Sequence, residues 1–485
     1  MRLSSISTMR LSTLLLAGLS TGLAGAQTPS ESWSRFRGPN GSGTSTATDL
    51  PSAIGPDKNV RWRRDFAPGF SSPVLYGSRL FATGLEDEEL KTYCLDASSG
   101  AQLWSATTPR KRTEPLDERN HPAAASPVAD AERVVVFFAD YGLVAFDHAG
   151  KQLWSKEIGP FNNVYGMGAS PILHEGRVFL ACDQQVGSYL LAVDATTGEE
   201  LWRSARPWAK SSHCTPIVLD TKEGGAELIL PGSFYLDAYD LKTGERRWWV
   251  PGLCFEMKSV PIEQDGLIFV NGYGSPMNQP GNQITIDDFD KVIKERDANK
   301  DGLVAQDEMP ENRASSWFGF VDLNLDKTLD QSEWSYLQDA LASKNGMHAI
   351  RQGGQGAMDA SSVKWSYHRS VPQLPSPLIY EDVLYMLADG GGLITTFRPQ
   401  DGELIERGRI EEAIDTYYAS PVAADGRVWL ASEHGFVLAL PQGGSLEPLF
   451  VSEMNERIYA TPAFSQGRIY LRTEFALYCF EESDE

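Results

Sequence analysis

Two acidic segments near the middle of the chain place oxygen-bearing side chains at alternate positions. The first, DANKDGLVAQDE, covers residues 297 to 308. Such a spacing suits Ca²⁺, which takes six to eight oxygen ligands, because alternate residues of a tight loop direct their oxygens at one centre. The segment fits D-x-[DN]-x-[DN]-G-x5-E at every specified position, with Gly302 at the sharp turn and a water expected as ligand beside Ala305. The predicted calcium ligands are Asp297, Asn299, Asp301, the carbonyl of Leu303, and Glu308.

The second segment, DLNLDKTLDQSE, repeats this order at residues 322 to 333. It carries Lys327 where the pattern has glycine, and a left-handed backbone at a non-glycine residue costs about 1 kcal/mol. We therefore expect the second loop to bind calcium more weakly than the first. Its predicted ligands are Asp322, Asn324, Asp326, Thr328, Asp330 and Glu333.

Helical patterns flank both loops. TIDDFDKVIKER precedes the first loop, with Thr285 as a candidate N-cap and Val292 on an apolar face, and EWSYLQDAL begins at the end of the second. The two segments therefore resemble a paired EF-hand module, in which Val304 and Leu329 are expected to touch. The sequence leaves open whether the calcium would be structural or regulatory.

A short phrase, x-Ser/Thr-Pro or a close variant, recurs along the rest of the chain. We call its prolines the repeat prolines: Pro73, Pro127, Pro171, Pro216, Pro261, Pro377, Pro421 and Pro462. Most are 41 to 45 residues apart, with two longer steps of 54 and 116. Each repeat continues through β-rich runs to Gly-x-x-x-Trp, and four short strands at this period are typical of a β-propeller blade. Eight phrases predict an all-β, eight-bladed β-propeller with four-stranded blades.

The two ends of the chain predict how the ring closes. The last repeat stops after FALYCFE, so it lacks a fourth strand, and NVRWRRDF near the N-terminus supplies a strand with no repeat of its own. Pairing the N-terminal strand with the C-terminal strand would remove an exposed sheet edge.

The x-Ser/Thr-Pro phrases, the segments LDASSGAQLW and VDATTGEELW, and the leader WSRFRGPNGSG at residues 33 to 43 resemble the PQQ-like quinoprotein propeller repeats of exported bacterial proteins. The resemblance covers roughly residues 30 to 480 apart from the acidic insertion. It implies the fold. It does not fix a function, because similar propellers occur in quinone-dependent alcohol dehydrogenases, in an outer-membrane assembly lipoprotein and in binding proteins.

The long step between repeat prolines locates the EF-hand pair inside blade 5, between its second and third strands. The predicted organisation is a signal peptide at 1–26, a leader at 27–57, the closing strand and blades 1 to 5 at 58–273, the EF-hand insertion at 274–352, and the rest of blades 5 to 8 at 353–485.

The N-terminus has the pattern of a secretory signal peptide, with two arginines, an apolar run and the sequence AGA before Gln27. The apolar run is too short and interrupted to span a bilayer comfortably. We expect a periplasmic or secreted protein without a membrane span. MRLS occurs at both Met1 and Met9, so the true start is open.

A formal net charge of -22 argues against nucleic acid and anionic membranes as partners. The cysteines are five and scattered, so we expect buried small hydrophobes and leave disulfide pairing open, since export permits it. They are Cys94, Cys182, Cys214, Cys254 and Cys479.

In a propeller, the loops that lead into the innermost strands surround one mouth of the central channel, and loops between second and third strands open on the same face. The residues three positions before each repeat proline, together with two that lie slightly earlier in their loops, place His, Lys and Tyr side chains at this mouth. A concave site with such groups suits a small-molecule ligand or a protein partner. The predicted ligand-binding residues are His121, Tyr165, His213, Lys258, Tyr418 and Tyr459.

Together these features predict an exported, calcium-binding propeller that acts as a monomeric ligand-binding, protein-binding or scaffold module rather than as an enzyme, with no catalytic residue assigned. The alternative is a PQQ-dependent or other oxidoreductase with its site at the channel mouth. In quinoprotein dehydrogenases, adjacent cysteines stack on the quinone and a Glu, Asn and Asp cluster holds calcium. The sequence has no Cys-Cys pair, so PQQ is not expected as a cofactor.

Overall fold

Eight antiparallel sheets follow one another around a central axis in the computed structural model, which describes residues 32–221 and 224–483. The first strands of neighbouring sheets contact one another, so these strands line the central channel. The predicted all-β, eight-bladed propeller is therefore confirmed. The signal peptide predicted at 1–26 lies outside the described residues.

Blades 1 to 4 follow one another in chain order, and their strands are given from the channel outwards. Blade 1 has Val74–Tyr76, Arg79–Glu86, Glu89–Asp96 and Gln102–Thr108. Blade 2 has Val128–Ala129, Arg133–Phe138, Gly142–Asp147 and Gln152–Glu157. Blade 3 has Ile172–His174, Arg177–Cys182, Tyr189–Asp194 and Glu200–Ala205. Blade 4 has Ile217–Asp220, Ala226–Gly232, Tyr235–Asp240, Arg246–Pro251 and, beyond the predicted four, the short parallel strand Gly356–Ala357.

Blades 5 to 8 follow the same order. Blade 5 has Ile262–Gln264, Leu267–Gly272, Gly346–Arg351 and Val363–Tyr367. Blade 6 has Leu378–Tyr380, Val383–Leu387, Ile394–Phe397 and Leu404–Gly408. Blade 7 has Val422–Ala424, Arg427–Ala431, Phe436–Pro441 and Phe450–Glu453. Blade 8 has Ala463–Ser465, Arg468–Arg472, Ala476–Phe480 and, from the N-terminal side, Val60–Asp65.

The remaining elements are short. The α-helices are α1 (Phe289–Arg296), α2 (Phe318–Val321) and α3 (Gln331–Ala342). Single 3-10 turns cover Pro39–Gly41, Pro276–Asn278, Gln306–Glu308, Arg313–Trp317, Ala360–Ser362 and Glu411–Ala413. Two small sheets pair Ser211–Ser212 with Glu256–Met257 and Val304–Ala305 with Thr328–Leu329. In the described part of the chain, none of the helices has the length and apolar character needed to cross a membrane.

At five of the eight blade junctions of the described chain, a tryptophan of the outermost strand contacts a glycine turn of the next blade. Trp154 of blade 2 donates from Nε1 to the Ala195 carbonyl in the turn of blade 3, at 2.8 Å. The same indole covers Gly198, where a Cβ would lie 2.6 Å from the ring. Glycine at the turn therefore lets a bulky apolar ring fill the space between blades. The equivalent pairs are Trp62–Gly100, Trp104–Gly150, Trp202–Gly244 and Trp365–Gly402.

The x-Ser/Thr-Pro phrase forms a belt of hydrogen bonds around the channel. In seven of the eight blades, the main-chain N–H of the residue before the repeat proline donates to the hydroxyl at the same position in the next blade, as from Ser72 to Ser126 at 2.9 Å. Seven such links run around the ring. Blade 5 has Val260 at this position and offers no hydroxyl. We call the hydroxyl-bearing members the Ser/Thr belt: Ser72, Ser126, Ser170, Thr215, Ser376, Ser420 and Thr461.

Both ends of the chain meet in blade 8, which confirms the predicted closure. Val60–Asp65 runs antiparallel to Ala476–Phe480, with Arg63 opposite Tyr478. The seam between blade 8 and blade 1 is held by the buried Arg472, which donates to the Thr83 carbonyl at 2.7 Å. Strands from both ends of the described chain thus complete one four-stranded sheet, with Val60–Asp65 as its outermost strand.

The leader crosses the channel at the end opposite the insertion. The carbonyls of Trp33 and Ser34 accept hydrogen bonds from the first strands of blades 1 and 2. Arg35 and Arg37 donate to the repeat-proline carbonyls of blades 4 and 6, at 2.6 and 2.7 Å. Between them, Phe36 faces the channel interior. The leader therefore closes one end of the channel.

The insertion leaves blade 5 after its second strand and returns at Gly346–Arg351, which is the third strand. It thus occupies residues 273–345, whereas the predicted range of 274–352 had included this strand. The GMHAIR run is short and follows a helix, so its apolar character did not separate it from the insertion. The helix before the first loop also starts later than predicted, because the residue at its N-cap is Asp288 and not Thr285.

The insertion packs on the mouth face of blades 3 to 5. Phe255, which precedes the first strand of blade 5, lies 5.0 Å from Trp317 between ring centroids. Tyr336 of α3 lies 5.8 Å from Phe234 of blade 4. Apolar residues of the insertion and of blades 2 to 5 form one continuous core cluster. The insertion is therefore held firmly beside the channel mouth.

Candidate functional site

The mouth of the channel holds a cavity of about 200 Å³, which we call the chamber. Its wall is formed by residues of the incoming loops, which lead into the first strands, and by the Ser/Thr belt. Phe36 of the leader lies at its floor. Five of the six predicted ligand-binding side chains line it together: Tyr165, His213, Lys258, Tyr418 and Tyr459.

His121 is the sixth predicted residue, and it lies outside the chamber lining. Its ring packs against Phe70 at 5.2 Å between centroids, and its Nδ1 accepts the Ala123 N–H at 3.1 Å. Burial lowers the pKa of His121 to about 4. His121 therefore supports the wall in its neutral form without facing the cavity.

One side of the chamber is an aromatic wall. Phe70 and Tyr459 stack at 3.9 Å between centroids with 13° between their planes. Tyr418 continues the run, 5.8 Å from Tyr459 and tilted by 12°. Phe70 lies three residues before its repeat proline, as four of the predicted residues do. Its position therefore marks it as a chamber residue, although phenylalanine is not a polar residue type. The wall presents flat apolar surface with hydroxyls at its edge.

The opposite side is polar and centres on Glu256. This buried carboxylate forms an ion pair with Lys258, and Gln373 donates to it from Nε2 at 3.4 Å. The Lys258 ammonium also lies 5.3 Å from the centre of the Tyr165 ring. Burial, followed by the nearby Glu256 carboxylate, raises the pKa of Tyr165 above its usual range. The charge of Lys258 is thus balanced by Glu256, a residue that was not predicted from the sequence.

His213 stands edge-on to Tyr165, 6.0 Å away between centroids. Burial, with a smaller effect of the Lys258 charge, lowers the pKa of His213 to about 3, so the imidazole is neutral. Its Nε2 is enclosed and makes no hydrogen bond to the described residues. Gly168 makes room for it, since a Cβ there would lie 3.0 Å from the His213 Cβ.

Above the chamber, one side chain bridges opposite blades. Arg119, in the incoming loop of blade 2, is paired with Asp117 at 2.6 Å and approaches the Gln373 Oε1 of blade 6 at 3.5 Å. Blades 2 and 6 face each other across an eight-membered ring. The incoming loop of blade 2 is anchored below by Glu114, whose N–H donates to Asp140 at 2.9 Å. Arg119 and Gln373 were not predicted as site residues. The unusual length of the incoming loop of blade 2 was the one sequence feature that could have indicated Arg119.

The first acidic loop folds around its end residues. Asp297 accepts main-chain N–H groups from Lys300 at 2.7 Å and Gly302 at 2.9 Å, and Glu308 accepts that of Ala298 at 2.7 Å. The other predicted ligands lie on the exposed side of this turn, where Asn299 donates to Asp301 at 2.7 Å and the N–H of Leu303 donates to Asp301 at 2.9 Å.

The second loop repeats the arrangement. Asp322 accepts the N–H of Asp326 at 3.1 Å and that of Lys327 at 3.0 Å, and Glu333 accepts that of Leu323 at 2.7 Å. Asn324 and Thr328 both donate to Asp326, at 3.0 and 2.6 Å. Asp330 caps α3 by accepting the N–H of Glu333 at 2.9 Å. The two loops meet through the Val304–Leu329 pair, as expected.

Among the described residues, no three His, Cys, Asp or Glu side chains are grouped as metal ligands. The carboxylates of both loops are instead engaged by main-chain N–H groups. The donor set of the calcium pattern also uses an amide oxygen, a main-chain carbonyl and water, so carboxylates alone do not define it. Calcium binding by these loops stays a prediction.

The chain is similar in sequence to one known family. The PQQ_2 family model, described as outer membrane protein assembly factor BamB, matches residues 48–203 and 150–253. These matches cover the end of the leader, the closing strand and blades 1 to 4. No curated protein matches the chain in sequence.

Solved structures share the architecture at low identity. The structure of BamB from Moraxella catarrhalis is 10% identical with a TM-score of 0.53, and the alignment covers 87% of this chain and 99% of that one. A europium-containing methanol dehydrogenase is 11% identical with a TM-score of 0.55, covering 93% and 98%. Quinohemoprotein alcohol dehydrogenase from Comamonas testosteroni is 13% identical with a TM-score of 0.55, covering 95% and 82%. At such identities the likeness shows the fold alone.

Proposed function

We propose that this protein is an exported propeller that binds a small molecule or a protein segment at the mouth of its channel, with calcium held by the two acidic loops. The observation that carries the proposal is the chamber. Its floor is the leader, and its wall joins an aromatic face to Lys258, which is paired with the buried Glu256. A concave site of this kind favours ligand capture over a purely structural role.

A scaffold role is supported by the family model, whose description is that of an assembly factor. For this chain the docking surface would be the mouth face, where the incoming loops and the insertion lie side by side. The secretory pattern at residues 1–26 and the acidic net charge favour the periplasm or the exterior as the place of action.

Calcium binding is supported by the ligand types in both loops and by the matching hydrogen-bond frames around Asp297 and Asp322. The exported location supplies calcium in abundance, which favours permanent occupancy. Isothermal titration of the mature chain should show two sites, and Asp297→Ala and Asp322→Ala should each remove one. Absence of binding at millimolar calcium would refute this part.

The ligand proposal is tested at the chamber. A fragment library is screened by thermal shift against the mature protein and against a His213→Ala, Lys258→Ala double variant. The matched control is His174→Ala, Lys242→Ala, which changes the same residue types away from the mouth. We expect hits that the first variant loses and the control retains. Hits that persist in all three proteins would place binding elsewhere.

The second candidate is a quinone-dependent oxidoreductase, for which two of the similar structures provide the reason to test. Purified protein is incubated with PQQ and calcium, and then examined for a bound-quinone spectrum and for dye reduction with alcohols or sugars. A bound quinone with turnover would replace the binding-module proposal.

A further inference from the structure

The Ser/Thr belt is interrupted at one place, between blades 4 and 5. Thr215 still provides its hydroxyl to the N–H of Ser170 at 2.9 Å. The next belt position is Val260, which has no hydroxyl to accept from the Thr215 N–H. Among the described residues, this N–H makes no hydrogen bond. Val260 itself keeps the other half of the link, because its N–H donates to Ser376 at 2.9 Å. Only the acceptor is missing.

The gap opens into the chamber. Thr215 and Val260 both line the cavity, next to His213 and Lys258. An unmatched main-chain N–H in a desolvated position costs free energy, and a ligand that supplies an acceptor recovers it. The belt elsewhere shows what geometry is accepted there, which is an oxygen about 2.9 to 3.1 Å from the N–H nitrogen.

We propose that this gap is the polar anchor of the chamber and that it binds the carbonyl oxygen of a small uncharged molecule; the proposal rests on the chamber being a binding site. A carbonyl fits because it only accepts hydrogen bonds, whereas the hydroxyl of a ligand would also need an acceptor for its own proton. An uncharged ligand fits because His213 is neutral and Lys258 is already paired with Glu256. Phe36 and Leu374 line the chamber and offer apolar surface for the remaining body of such a ligand.

The test uses the mature chain labelled with ¹⁵N-threonine and ¹⁵N-tyrosine, with cyclopentanone as the probe and cyclopentanol as its matched control. Cyclopentanone should shift the Thr215 amide saturably and bind at least about fivefold more tightly than cyclopentanol, which corresponds to one net hydrogen bond. The tyrosine amides of the wall report occupancy of the chamber independently of the anchor.

Val260→Ser supplies the missing hydroxyl, so it should complete the belt, raise the melting temperature and weaken cyclopentanone binding about tenfold. Val260→Thr provides a second variant with nearly the same volume as valine. Ser126→Val is the control, because it opens a gap on the other side of the ring and should leave the Thr215 shift intact.

Tyrosine shifts without a Thr215 shift, or unchanged affinity in Val260→Ser, would overturn the anchor while leaving the chamber as a binding site. If neither the ketone nor any fragment shifts the tyrosines or Thr215, both the anchor and the proposed chamber function are overturned.

Discussion

Trp104 of blade 1 lies on Gly150 of blade 2 so closely that a Cβ at position 150 would be 2.7 Å from the indole ring. Gly150 also has a φ of +88°, a conformation that L side chains rarely adopt. One glycine therefore satisfies the turn inside its own blade and the contact with the preceding blade. This double role explains why glycine and tryptophan recur together in the repeats.

Gly150→Ala should lower the free energy of unfolding by about 2 to 4 kcal/mol, because it adds a clash with the indole to backbone strain. Gly266→Ala is the matched control, since Gly266 has a φ of +76° and open space around its Cβ position. Gly266→Ala should lower the free energy of unfolding by the backbone strain alone, which is about 1 kcal/mol. Urea denaturation of the three proteins measures the difference, and equal costs would show that the indole contact contributes nothing.

Arg472 should contribute more to stability than any other single side chain between blades 8 and 1. It donates to the carbonyls of Thr83 at 2.7 Å and Ala67 at 2.8 Å, and Arg472→Met would remove both of these hydrogen bonds. We expect a loss of about 3 kcal/mol of stability. Arg61→Met removes the exposed pair with Glu481 in the same blade and should cost less than about 1 kcal/mol. A similar loss in both variants, measured by urea denaturation, would contradict this assignment.

His348 should make stability depend on pH. Burial, with a smaller effect of His368, lowers its pKa to about 4 from the ordinary 6.5. Between about pH 6.5 and pH 4, His348 is therefore protonated in the unfolded chain but neutral in the folded protein. The free energy of unfolding falls as the pH drops through this range, by up to about 1.4 kcal/mol per pH unit. His348→Gln should flatten the slope by one proton in that window. Urea unfolding at pH 7, 5.5 and 4.5 measures it, and an unchanged slope would disprove the prediction.

The repeat number and the ring closure could be predicted because each short phrase has one fixed physical task. In seven of the eight blades the residue before the repeat proline is a serine or threonine of the belt, and at five blade junctions a tryptophan covers a glycine of the next blade. Val260 is visible in the sequence as a departure from this rule. The consequence of this departure needed the structure, because the hydrogen bonds of the ring show that Thr215 is the residue whose N–H lacks the hydroxyl acceptor.

Other features depended on contacts between distant parts of the chain. Glu256 holds Lys258 and Gln373 together, and Arg119 reaches the opposite blade, but no local pattern marks either arrangement. The fifth strand of blade 4 arises from only two residues, too few for any periodicity to show. The third strand of blade 5 was hidden for a related reason, since its apolar run directly follows the helical insertion.

Calcium affinity in the two loops should differ because of one backbone angle. Lys327 has a φ of +69° and Gly302, at the same place in the first loop, has +78°, so both turns need the left-handed conformation but only glycine adopts it freely. Relief of about 1 kcal/mol predicts that Lys327→Gly tightens the second site about fivefold. Gly302→Lys is the reciprocal control and should weaken the first site by a similar factor. Isothermal titration of the mature chain resolves both, and equal affinities of the second site with lysine and with glycine would mean that its ligand set, rather than its turn, limits binding.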